Sequence, residues 1–273
     1  MTGQLHARDL RLDYGHGTIL DGLEVTLTPG AITSIVGPNG CGKSTLLRCL
    51  SRLLAPTSGS VYLDGHDISS LPTKQLARQL GLLPQSPVAP DGIVVADLVG
   101  RGRTPHQGLL GRWSQEDYRI VAESLEATGT AALAERAVDE LSGGQRQRVW
   151  IAMALAQRTG ILLLDEPTTY LDVKHQLEVL DLLTDLNRDN GTTIVMVLHD
   201  LNLAARYSDE LVAVSDGDVY SHGAPTEVIT PEAVRHVFGI DCQVITDPVS
   251  GTPAVMPMGR HHVPEHPTKE QPR

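Results

Sequence analysis

Short apolar runs alternate with stretches of helical period along most of this chain. Ala31–Val36 is a β-branched apolar run, and after it Leu46, Leu47, Leu50, Leu53 and Leu54 fall at i, i+1, i+4, i+7 and i+8. That order predicts strand, loop and helix. Val61–Leu63 before the Asp64-Gly65 turn, and Leu80–Leu83 closed by Pro84 and Gln85, read as further strands. From Ser86 to Gly160 the texture changes. A Pro/Gly-bearing stretch through Pro105 gives way to a helical period over Ser114–Thr128, marked by Tyr118, Val121, Ala122 and Leu125. A second helix runs through Val149, Ala152, Met153 and Leu155. No strand is expected there, so residues 86–160 read as an inserted helical subdomain. Ile161–Leu164 resumes the sheet, Leu177–Leu186 is a helix and Thr192–Val197 a strand. Leu211–Val214 and Val219–Ser221 form a hairpin around Asp216-Gly217-Asp218. Strands alternating with helices predict an α/β fold whose mostly parallel sheet is covered on both faces. Beyond about Ile240 the pattern fades to a turn, Asp247–Gly251, between two short extended pieces. The last dozen residues, rich in Pro, His and charge, are expected to form a loose tail.

Composition narrows the function. The 273 residues suffice for a substantial core, and 41% hydrophobic with 20% charged residues is an ordinary globular balance. Aromatics at 3% leave that core to Leu, Val, Ile and Ala. A net charge of -11 argues against a fold whose main task is to coat nucleic acid or anionic lipid. Cys41, Cys49 and Cys242 are few and unpaired in spacing, and no leader segment is expected, which together imply a reducing compartment. The apolar runs Ile161–Leu164 and Thr193–Leu198 fall far short of the ~20 residues a spanning helix needs. Any membrane role is expected to run through a partner.

Three motifs carry chemistry. Gly37-Pro38-Asn39-Gly40-Cys41-Gly42-Lys43-Ser44 fits the phosphate-binding loop G-x-x-x-x-G-K-[ST], after a strand and opening a helix, with Thr45 following. Its glycines allow positive φ and keep side chains away, so successive amides can wrap a phosphate at a positive helix end. Lys43 adds a point charge, and the Ser44 hydroxyl is suited to Mg²⁺. Ile161–Leu164 then delivers Asp165 and Glu166 to the carboxyl edge of the sheet, where ligands of such folds collect. Asp165 is expected to hold Mg²⁺ through water and Glu166 to act as general base. Ser142-Gly143-Gly144-Gln145 has two readings: an S-x-x-Q capping box, or a second anion site built from exposed amides at a helix start.

Phosphate loop, Leu141–Gln145 and, about twenty residues later, Asp165 resemble the ABC ATPase family. The resemblance implies a P-loop NTPase (RecA-like) core over residues 1–85 and 161–240, with an antiparallel β part at the N-terminal side. It makes residues 86–160, which carry Ser142–Gln145, the helical subdomain; it extends to about residue 255, and 241–273 reads as a C-terminal extension whose end lies outside the likeness. By the same likeness Tyr14 matches the aromatic that stacks on adenine, and Gln85 the glutamine that touches Mg²⁺ and the attacking water. Asp172 matches the loop that senses the other subunit, and His199 the histidine that contacts the γ-phosphate. The family's assembly implies two chains closing head to tail as a homodimer with ATP at the interface. Each ATP would then lie between one phosphate loop and the other chain's Ser142–Gln145.

The wording is closer still. Residues 37–48, Leu83-Pro84-Gln85, Gly100–Gln107, Gln145–Gln157 and Asp165–Asp172, including Tyr170 and Cys41, resemble ATPases of ferric-siderophore, haem and cobalamin importers, the ferric-siderophore branch most of all. This implies an ATPase at the cytoplasmic face of the cell (inner) membrane, held there by two transmembrane permease subunits and served indirectly by a substrate-binding protein. Nucleic acid is not an expected partner. Haem, cobalamin or another chelate is the alternative cargo, and a soluble ATPase of iron–sulfur assembly the alternative class. Gln85 to about Arg112 is the expected permease contact, with Ile93, Val94, Val95 and Leu98 as its apolar face and Arg101 and Arg103 as its charges. Cys41, beside bound phosphate, is expected to be a point where alkylation inhibits.

Overall fold

Three sheets and the helices between them organise a computed structural model that describes residues 3–13, 15, 17–108 and 112–259. The expected terminal tail, the last dozen residues, lies outside those residues. Along the chain come β1 (Leu5–Asp13), β2 (Thr18–Leu27), β3 (Ile32–Val36), α1 (Lys43–Leu50), β4 (Ser58–Leu63), β5 (His66–Asp67), α2 (Thr73–Ala77) and β6 (Leu80–Leu83). The helical stretch holds α3 (Val95–Gly100), a 3₁₀ segment (Arg101–His106), α4 (Gln115–Ala127) and α5 (Gly143–Ala156). The chain then forms β7 (Ile161–Asp165), α6 (Val173–Asn190), β8 (Thr193–Val197), α7 (Leu201–Tyr207), β9 (Glu210–Ser215) and β10 (Asp218–Gly223). It closes with α8 (Pro225–Val228), α9 (Pro231–Phe238), β11 (Cys242–Thr246) and β12 (Pro253–Pro257).

The central sheet has the order β10-β9-β3-β8-β7-β6. Its neighbours are parallel from β9 to β6, and only the edge strand β10 runs antiparallel. Every residue of β3, β7 and β8 is buried because both faces are covered. Side chains alternate between the faces. Ile35, Leu163, Val195 and Val197 enter one core with α1 and the antiparallel sheet, while Val36, Leu162, Leu164 and Met196 enter the other with α5 and α6. The chain is thus the α/β fold with a mostly parallel sheet that its sequence predicts, and the antiparallel part that the resemblance implies is present, in the order β2-β1-β4-β5.

That antiparallel part shows why its strands were hard to read. Leu5 and Ala7 point inward, and so do Leu10 and Leu12, but a register shift between Ala7 and Leu10 breaks the alternation. Asp9 at φ 47° makes the irregularity, and Gly59 accepts it. A Cβ on Gly59 would stand 2.1 Å from the Asp9 carbonyl oxygen, so only glycine fits this crossing.

Among the described residues of 86–160 no strand forms. The helices there pack on one another, and one ion pair ties them: Arg103 Nε donates to Asp117 Oδ1 at 2.9 Å and its Nη1 to the Ala156 carbonyl at 2.9 Å. Both side chains are only 7% exposed. Three expectations need correction here. Arg103 faces the helical core and not a partner, because Asp117 compensates its charge inside. Val95 and Leu98 are buried, since the apolar stripe of α3 is already covered within the helical core. On α4, Tyr118 and Ala122 face solvent, and Ile120 joins Val121 and Leu125 on the buried side.

Four parallel strands lie side by side as β3, β8, β7 and β6, so the residues just after their carboxyl ends meet along one edge. Those residues are the loop from Gly37, then His199, Glu166 and Gln85. No helix among the described residues is long and apolar enough to cross a membrane.

Candidate active site

The loop after β3 depends on glycine at both ends. Gly37 has φ 154°, and a Cβ there would lie 2.3 Å from the Val214 carbonyl oxygen and 2.8 Å from Cys41 Sγ. Gly42 has φ 107° and caps α1. A Cβ on it would press to 3.0 Å on the Ile19 carbonyl oxygen and Leu20 Cδ2. The loop therefore winds tightly and opens α1 with its free amides outward. Lys43, 5% exposed, turns its ammonium back over the loop and donates to the carbonyls of Gly37 at 2.9 Å and Pro38 at 2.7 Å. Cys41 is buried and its thiol is pushed up in pKa, chiefly by burial, against the opposing pull of Lys43. It is less reactive than its place in the motif suggests.

A cleft of about 790 Å³ opens above this loop. Asn39, Gly40, Gly42, Lys43, Ser44 and Thr45 of the loop line it, together with Gln85, Glu166, His199 and Ile19. Glu166 is the hub. Its Oε1 lies 2.7 Å from His199 Nε2 and accepts from Gln85 Nε2 at 2.7 Å, while Oε2 accepts from Thr169 Oγ1 at 3.0 Å. Its backbone sits at φ 54°, a conformation that costs a non-glycine residue energy and turns the side chain into the cleft. Burial raises its pKa, but the hydrogen bonds from His199, Gln85 and Thr169 outweigh that and hold the carboxyl below the usual glutamate range.

Asp165 is buried and shifts the other way. Desolvation raises its pKa, the hydrogen bond from Ser44 opposes this, and the Glu166 charge adds to the rise. Ser44 Oγ donates to Asp165 Oδ1 at 2.8 Å, whereas Oδ2 is buried and has no hydrogen-bond partner. An orphaned carboxylate oxygen beside a hydroxyl is a hard oxygen donor set, and it fits Mg²⁺.

Ser142–Gln145 does not line this cleft. Its capping-box geometry is realised: Ser142 Oγ accepts from the Gln145 amide at 3.3 Å, and Gln145 Oε1 from the Ser142 amide at 3.1 Å. The capping reading therefore holds, and it leaves the amides of Gly143 and Gly144 in the open first turn of α5. Asp172 caps α6, accepting from the His175 amide at 2.9 Å and pairing with its Nδ1 at 2.8 Å. Tyr14 lies outside the described residues.

Sequence reasoning passed over the connections. Gln147, on α5, donates to the Pro167 carbonyl at 3.0 Å, and Gln176 on α6 to that of Thr168 at 3.4 Å. Leu171 Cδ2 stands 3.5 Å from where a Cβ on Gly144 would be. The start of α5 and the loop after Glu166 are thus one packed unit. Gln147 is itself buried, and a glutamine on the inward side of an apolar helix was the one available signal. Ile19 gave none, because it serves through its position next to Gly42.

Comparison with known proteins gives this geometry a lineage. The family model described as ABC transporter matches residues 20–169, which takes in the loop, Gln85, Ser142–Gln145, Asp165 and Glu166. The ferric enterobactin transport ATP-binding protein FepC of Escherichia coli is 51% identical over 257 residues, 94% of this chain and 95% of its own. In the inward-facing form of a transporter assigned to the metal-chelate type, one chain superposes with TM-score 0.80 at 28% identity, covering 95% of this chain and 98% of that one. A dimeric ATP-binding cassette in a post-hydrolysis state, bound to ADP and Pi, superposes with TM-score 0.72 at 31% identity over 81% of this chain and 98% of its own. On its motifs, its fold and these relatives together, the chain belongs to the ABC transporter family.

Proposed function

We propose that this chain is the ATP-hydrolysing subunit of an importer, and that its cargo is a ferric siderophore. The observation that carries the ATPase reading is the position of Glu166. It lines the same cleft as Lys43 and the glycine-rich loop, and Gln85, His199 and Thr169 fix its carboxylate. The loop amides and the Lys43 ammonium receive the β- and γ-phosphates of ATP, the ammonium exchanging its two loop carbonyls for phosphate oxygens. Glu166 takes the proton of a water as that water attacks the γ-phosphorus and the bond to the ADP oxygen breaks. His199 meets the γ-phosphate and Gln85 orients the water. Ser44 and Asp165 are the residues that would hold Mg²⁺, which when bound offsets phosphate charge.

The cleft lacks any contribution from Ser142–Gln145 of the same chain. This supports a head-to-tail pair in which the second copy brings its Ser142, Gly143, Gly144 and Gln145 to the γ-phosphate. The relative bound to ADP and Pi has the same fold and is dimeric, which supports a pair of chains. Permease contact falls to the exposed segment from Gln85 through Val88, together with Arg101. The cargo assignment leans on the ferric enterobactin relative at 51% identity. Residues 1–85 and 161–240 then form the ATP-binding core, 86–160 the helical subdomain, and the chain works as a peripheral protein at the cytoplasmic face of the cell membrane.

Uptake of radio-iron as a ferric siderophore tests this reading, in cells lacking the gene and complemented with wild type or Glu166→Gln. Uptake restored only by the wild type is the expected result. Uptake indifferent to the deletion, in a strain with no second importer, would move the cargo to haem, cobalamin or another chelate.

A further inference from the structure

A groove separates the helical segment from α6 at the end of the sheet away from the cleft. Thr159, Gly160 and Thr192 border it, and they precede the amino ends of β7 and β8, whereas Glu166 and His199 follow the carboxyl ends. Its volume of about 500 Å³ lies within the range of small-molecule sites, ~300–1,000 Å³. Ala154, Leu155, Leu162, Leu182 and Leu186 give it an apolar lining, and three of them (Leu155, Leu182 and Leu186) remain partly open to solvent.

The polar groups at its mouth are not balanced. Glu123 is engaged by both Arg119 and Arg158, so that side carries no free charge to offer. Asp185 and Asp189 stand one turn apart on α6, both on the groove, and neither has a hydrogen bond or ion pair among the described residues. Two carboxylates on one face repel each other and gain from a shared cation. An apolar lining with an anionic lip is complementary to a molecule with an apolar body and a positive head.

We infer that this groove binds a small organic cation, a protonated aryl- or alkylamine, with its body on the leucines and its ammonium between Asp185 and Asp189. The site is independent of the nucleotide reading, since it shares no residue with the cleft.

Three probes of one shape test it on the full chain by calorimetry: 4-phenylbutylamine, 4-phenylbutanol and 4-phenylbutyrate. The amine should bind at least tenfold more tightly than the carboxylate, with the alcohol between them. The exposed pair Asp185→Asn/Asp189→Asn should lose about tenfold in amine affinity while leaving the thermal midpoint and basal ATPase unchanged. Equal affinity for all three probes, no binding of the amine, or full amine affinity in the double variant would overturn the assignment. Tightest binding of the alcohol would do so too, by making the groove merely apolar.

Discussion

Glu166 is where the chemistry narrows to one side chain. Replacing it with Gln keeps the shape and the hydrogen bonds to Gln85 and His199 but removes the proposed base. Turnover should fall by about 10²–10⁴, the usual worth of a general base. ATP should then hold the closed pair, visible as a dimer on size exclusion with ATP and Mg²⁺. A Glu166→Gln protein that stays monomeric there would falsify the sandwich. The pH profile is a second test. A carboxyl held below the ordinary glutamate value of ~4.3 stays ionised as pH falls, so base function is present above that range and lost only below it. An acid limb of kcat/KM above pH 5 would assign the limb to another group. Cys41 gives a third expectation. Its buried thiol, raised in pKa, should react with maleimide far more slowly in the folded protein than after denaturation. Equal rates would mean that the loop opens freely. The loop was legible from its spacing, because phosphate chemistry dictates residue type at each place, and Asp165 and Glu166 stood out only in company with that loop. The pairing of Glu166 with His199 was not, for it depends on β7 and β8 lying side by side.

At the level of elements, the Arg103–Asp117 pair holds the 3₁₀ segment to α4 and α5. Hydrogen bonds from Ser114 and Arg103 overcome the opposing effect of burial and bring Asp117 down to about 2. The stability that this contributes is present above the unfolded value of ~3.9 and is lost as pH falls through about 2. Arg103→Ala leaves a buried carboxylate without its main countercharge and should cost about 3 kcal/mol. For a chain of this size that is a fall in melting temperature on the order of 10 °C. Arg101→Glu, on the exposed side, should leave the melting temperature unchanged and reduce transport alone. If Arg103→Ala melted like the wild type, the pair would be ornamental. Helical period located these helices but not their inward faces. A short helix such as α3 has too few turns to say which neighbour covers it, and a charged residue inside its core defeats any rule based on polarity. Strand β1 escaped for a related reason, since one irregular residue, Asp9, shifts the alternation halfway along it.

For the whole molecule, architecture was the most legible level and assembly the least. Alternating strands and helices with fully apolar strands leave few layer arrangements, and the doubly covered sheet is the one observed. Nothing in one chain's periodicity reports a second copy. That expectation comes from the family's assembly alone. The contact of Gln147 with Pro167, and of Gly144 with Leu171, then takes on a further meaning. In a head-to-tail pair, the start of α5 serves one ATP while the loop after Glu166 in the same chain serves the other. In such a pair each protomer would be a lever pivoted between two reactions, and neither site would relax without informing its twin. Hydrolysis should therefore rise sigmoidally with ATP, with a Hill coefficient above 1. Mixed pairs carrying one Glu166→Gln chain should retain well under half of the wild-type rate, because a stalled site arrests its neighbour. A strictly hyperbolic curve, with half the activity surviving in mixed pairs, would mean the two engines fire on their own.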